Sequence, residues 1–113
     1  MKRIEFYPLG SVVRLKKSVR DVMIVSRAMI LPINEEQKFF DYGACSYPEG
    51  VMDGQLFYFN HEDIDKLQFE GYRNELDEIM VQNLQQSMEA AEIEHGDTLK
   101  IHDQIMQSQQ ANA

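Results

Sequence analysis

At Tyr72 the hydrophobic period of this chain changes, and few folds accommodate that change. Before it, apolar residues alternate with polar ones or form short runs. Val13 and Leu15 alternate with Arg14 and Lys16, the pattern of a half-buried strand. Val22, Met23, Ile24 and Val25 form the kind of run expected of a central strand covered on both faces. After Tyr72, the residues Leu76, Ile79, Met80, Leu84, Met88 and Ala91 recur at three- and four-residue spacings. That spacing predicts an amphipathic helix over residues 75–94. The expected fold class is α+β: a small antiparallel sheet of four to five strands, followed by one long and one short C-terminal helix.

The sheet is expected to centre on the strands around Val13 and Ile24, joined through Lys17-Ser-Val-Arg20 as a hairpin loop. Pro32 to Gln37 reads as a loop, because proline stops a strand and the charges favour solvent. A third strand is expected over residues 38–47, rich in aromatics, with Gly43 marking a bulge or a close crossing. Pro48-Glu-Gly50 and Asp53-Gly54 are turn signals. A fourth strand follows over 55–60. Asn60 or His61 then caps a single helical turn through Asp65. Residues 66–72 alternate as a fifth strand, with Leu67 and Phe69 on one face; Ile24 and Phe69 are both expected in the core. Asn74 is placed to cap the long helix, with Asp77 in its first turn. His95-Gly96 reads as its stop. Asp97 starts a shorter helix over 97–107, carrying Leu99, Ile101, Ile105 and Met106. The domain is thus 1–96, with 97–113 a short helix and a tail that frays at its end.

A chain of 113 residues fits one domain with a modest core. No apolar run approaches the ~20 residues of a membrane span, and no stretch has signal-peptide character, so a cytoplasmic protein is expected. Cys45 is the single cysteine, which excludes an internal disulfide. Charge is split: residues 1–34 balance to +5 and residues 35–113 to −13, for a net charge of −8. That balance opposes nonspecific attraction to nucleic acid. The split fits a basic sheet surface packed near an acidic helix, or a bipolar surface that orients a protein partner.

No catalytic constellation is found. His61, His95 and His102 are far apart in sequence. His61-Glu-Asp63 is explained by acids at a helix start without a metal. Cys45 in its aromatic strand reads as a buried structural thiol. There is no phosphate-binding glycine fingerprint and no serine elbow. No catalytic, cofactor-binding or metal residue is therefore assigned, and no enzyme is expected. Two features suit binding instead. Consecutive aromatics, Phe39-Phe40 and Phe57-Tyr58-Phe59, point to opposite sheet faces; either the helix covers the second face or an aromatic patch is left for a partner. The methionine-bearing C-terminal segment offers an adaptable surface, or packs on its own sheet. The candidate partner-binding residues are Met80, Met88, Leu99, Ile105 and Met106.

Five ordered motifs carry a family resemblance. They are Tyr7-Pro-Leu-Gly-Ser-Val-Val-Arg-Leu-Lys16, Val22-Met-Ile-Val-Ser-Arg27, Phe40-Asp-Tyr-Gly-Ala-Cys-Ser-Tyr-Pro-Glu-Gly50, Tyr58-Phe-Asn-His-Glu-Asp-Ile-Asp65 and Phe69-Glu-Gly-Tyr72. Together, over about residues 7–73, they resemble the small bacterial family catalogued as domain of unknown function 4176. The resemblance implies no enzymatic activity and supplies no catalytic residue. It implies a cytoplasmic accessory factor encoded beside an LXG toxin of the type VII secretion system, acting as chaperone or targeting factor. The implied partner is the secreted toxin or its small helical export partners, with no nucleic acid and no membrane insertion. An immunity protein that neutralises a toxin domain is the alternative. Within the motifs, Gly10, Gly50 and Gly71 read as backbone requirements, and Arg27, Tyr42 and Tyr47 as packing or polar anchors.

Overall fold

In the computed structural model, residues 5–91, 93, 95 and 96 are described. The second helix expected over 97–107, with Leu99, Ile105 and Met106, lies outside them. Five strands form one antiparallel sheet: β1 (Val12–Leu15), β2 (Asp21–Ile33), β3 (Glu36–Ser46), β4 (Phe57–Phe59) and β5 (Ile64–Phe69). Their order is β4-β3-β2-β1-β5, so the apolar run Val22–Val25 does lie in the central strand. A single 3₁₀ turn, His61–Asp63, joins β4 to β5, and one helix, α1 (Glu75–Ala90), follows the sheet. The α+β class and the five-strand antiparallel sheet are as the periodicity implies. No described helix is long and apolar enough to cross a membrane.

The core lies on the sheet face that carries Val13, Val22, Ile24, Tyr42, Ala44 and Phe59. Phe6 from the N-terminal segment and Met88 from α1 complete it, with Val81, Leu84 and Ile93 packed against it. Gly43 marks a close crossing: it lies opposite Ser26, whose Oγ occupies the space a Cβ would need. The bulge is in β2 instead, at Val25. Gly71 meets a similar constraint, because the Leu9 carbonyl and the Ser11 amide lie where its side chain would be.

Three expectations are corrected. Phe69 is not in the core; it is 64% exposed. Strand β5 carries two register shifts against β1, so Leu67 faces Val13 while Phe69 faces Val12. Adjacent residues of β1 point to opposite faces, and the bulge at Gln68 therefore turns Phe69 away from Leu67. Pro32 does not end β2. The strand runs on to Ile33, and Asn34 and Glu35, both with positive φ, form a two-residue turn. That turn makes Ile33–Glu36 the hydrogen-bonded pair, so Pro32 and Ile30 aim their backbone outward and the missing proline N–H is not needed. Finally, α1 stops at Ala90, four residues before its expected end. The chain leaves the helix because residues 95–96 pair with β3: His95 bridges Phe39 in parallel, and Gly96 N–H donates to the Phe39 carbonyl at 2.9 Å.

Candidate functional site

Arg27 is a charged residue inside the apolar central strand, and its surroundings show why it is tolerated. Its guanidinium donates to Asp77 Oδ1 at 2.6 Å and reaches the Tyr7 carbonyl at 3.4 Å. Arg73 donates to the other Asp77 oxygen at 2.9 Å and also to the Phe6 carbonyl. Asn74 caps the helix by accepting from the Asp77 amide at 3.1 Å, as the sequence implies. Burial alone would raise the Asp77 carboxyl; the hydrogen bonds and charges of Arg27 and Arg73 outweigh it and hold the group below the usual carboxylate range. One carboxylate thereby ties β2, the N-terminal segment and the start of α1 together.

A second polar cluster lies where β3, β4 and the chain after α1 meet. Asp41 is buried, and both its oxygens are used: Oδ1 pairs with His95 Nε2 at 2.9 Å and Oδ2 accepts the His61 amide at 2.8 Å. Asn60 accepts the Asp41 amide at 3.2 Å and donates to the Gly96 carbonyl at 3.0 Å. Tyr42 accepts the Tyr7 amide at 3.0 Å, so its own hydroxyl proton is free for His61 Nδ1, 2.7 Å away. With the phenol donating, His61 is neutral with its proton on Nε2. Burial pushes the Tyr42 phenol upward. Two of the three dispersed histidines thus meet at one aspartate. Chemically the cluster is a clasp that holds three chain segments. Among the described residues no group of three His, Cys, Asp or Glu side chains is placed to hold a metal.

The clasp carries a pH prediction. Burial depresses the His61 pKa below 6.5, against the opposing pull of Asp41 and Glu5. The neutral form is favoured in the fold, so the unfolded chain binds more protons just below pH 6.5. Stability is therefore full above that pH and falls as pH drops through it toward the folded value. Urea titrations across this range should show the decline, and His61→Gln should flatten it. An equally steep decline in the variant would remove His61 as the cause.

The helix divides the candidate partner residues. Met88 is 6% exposed and belongs to the core, so its side chain is not available to a partner. Met80 is 50% exposed, and Ile79 and Leu76 beside it are 54% and 75% exposed. At roughly 100° per residue, this outer stripe lies about a third of a turn from the inner line Val81, Leu84 and Met88. Glu75 and Glu78 border its far side. Tyr72 and Phe69, on the segment leading into α1, are also exposed. Cys45 is buried in β3.

A family model described as a domain of unknown function, DUF4176, matches residues 6–81. The chain belongs to the DUF4176 family. No curated protein and no solved structure matches it. The DUF4176 span contains the whole sheet, the Arg27–Asp77–Arg73 tie and the outer stripe Leu76–Met80. It ends before Met88 and before His95. Of the motif residues, Tyr42 and Arg27 are polar anchors, whereas Tyr47 is half exposed. Gly10 and Gly50 have φ of +85° and +83°, where a side chain is strained. Sequence reasoning missed the clasp. Its available signal was Asp41, a lone acid inside the aromatic run Phe39-Phe-Asp-Tyr42, which cannot be buried without partners.

Proposed function

We propose that this chain is a non-catalytic, cytoplasmic accessory protein that binds a helical segment of a secreted partner. The family resemblance supplies the partner class: an LXG toxin of a type VII secretion system, or the small helical proteins exported with it. The role is that of a chaperone or targeting factor. The supporting observation is the second apolar stripe of α1, Leu76, Ile79 and Met80, which is at least half exposed and lies outside the described residues packed on the core. An exposed apolar stripe on a helix suits helix-on-helix packing. The acids Glu75 and Glu78 along its border favour a partner helix flanked by Lys or Arg. Leu99, Ile105 and Met106 are assigned to the same docking surface from sequence; Met88, being buried, is withdrawn from it.

The test is co-purification with the neighbouring toxin, cut into its N-terminal LXG part and its C-terminal toxic part. Ile79→Glu with Met80→Glu should weaken capture of the LXG part by about tenfold or more, as for a central interface anchor. The melting temperature should change little, because both side chains face solvent. Truncation after Gly96 should weaken capture further. Undiminished capture by the double variant overturns the reading, and capture of the toxic part alone favours an immunity protein.

A further inference from the structure

The described residues leave one end of the sheet's core face open. At the end carrying the β1–β2 loop, Leu15, Val22 and Phe57 form the floor of an open cleft of about 580 Å³. No residue of α1 lines it. The rim is charged: Lys16, Lys17 and Arg20 line it together with Glu49 and Asp63, and the Lys16 amide donates to the Asp63 carbonyl at 2.9 Å. Three of these five are already engaged. Arg20 pairs with Glu49, and the Asp63 carboxylate accepts the Asn60 amide at 2.9 Å. Lys16 and Lys17 form no ion pair among the described residues, and both are exposed. Lys17 is also held at φ +64°, a conformation that non-glycine residues avoid. The loop is pinned in that shape by Ser18, whose N–H donates to the Leu15 carbonyl at 3.1 Å and whose Oγ accepts the Arg20 amide at 3.1 Å.

We infer that this cleft binds an acidic peptide segment through one large apolar side chain flanked by carboxylates. The cleft volume lies in the range of natural ligand sites. The apolar floor removes the side chain from water, and Lys16 and Lys17, which line the cleft and form no ion pair among the described residues, meet the flanking acids. Charge selects the occupant. In a chain of net charge −8, two lysines without an ion pair among the described residues favour an acidic occupant at this cleft. The cleft shares no residue with the α1 stripe and stands independently of that surface.

The experiment is calorimetric titration of the full chain with an acetylated, amidated peptide Glu-Asp-Leu-Phe-Asp-Glu. A control peptide carries lysine at each acidic position. Saturable binding of the acidic peptide is expected, weakening several-fold between about 0.05 and 0.3 M salt. Lys16→Glu with Lys17→Glu should reduce affinity by about tenfold or more while melting as wild type, because both side chains are exposed. Ile79→Glu should bind the peptide normally. No saturable binding, equal binding of the lysine peptide, or unchanged affinity in the double lysine variant each overturns the inference.

Discussion

Asp77→Ala is expected to destabilise the protein by about 3–5 kcal/mol, because it leaves a buried charge without its partner. The Arg27 side chain is only 5% exposed, and Asp77 supplies its carboxylate. The same change releases Arg73 and, with it, one hold on the N-terminal segment at Phe6. Urea denaturation measures the effect. A second variant separates charge from packing: Arg27→Leu combined with Asp77→Ala should recover much of the loss, since replacing a buried ion pair by apolar groups is often near neutral. A loss below about 1 kcal/mol for Asp77→Ala would mean that Arg27 finds water or another acceptor, and that the tie is weaker than its geometry suggests.

Ile24→Ala is expected to cost about 2–5 kcal/mol, and Phe69→Ala less than about 0.5 kcal/mol. The first side chain is fully buried in the central strand; the second stands in solvent at the sheet edge. The pair is informative because both residues look like core from the sequence. Comparable melts for the two variants would show that the bulge at Gln68 does not turn Phe69 outward.

The architecture was legible because it rests on periods that the sequence displays directly. Val13 and Leu15 alternate, Val22–Val25 run unbroken, and Leu84 and Met88 repeat with the helix. What was not legible is whatever depends on a broken period or on distant pairing. The shift at Gln68 is invisible in Leu67-Gln-Phe69, which reads as perfect alternation. Asn34-Glu35 is not a familiar hairpin dipeptide, and Pro32 is a strand breaker unless its nitrogen faces away from the ladder. The end of α1 was set by Phe39, more than fifty residues earlier, through its bond to Gly96. The clasp needed the fold itself: Asp41, His61 and His95 share no local pattern. For the partner surface, spacing placed Met80 and Met88 in one apolar stripe, but the helix turns one outward and the other inward.

The β2–β3 hairpin extends past its neighbours, since β1 pairs only as far as Met23 and β4 only as far as Tyr42. On the β3 side, Asn60 and Gly96 occupy the outward-facing groups of Asp41 and Phe39. On the β2 side the outward positions are Ala28, Ile30 and Pro32. Ala28 is turned into the left-handed region, at φ +56°, and Pro32 has no donor. A strand from another molecule arriving at this rim would find one intact backbone position, at Ile30, between two that cannot continue a ladder. The β2 rim of the hairpin therefore offers little to the strand-to-strand growth that leads to fibres.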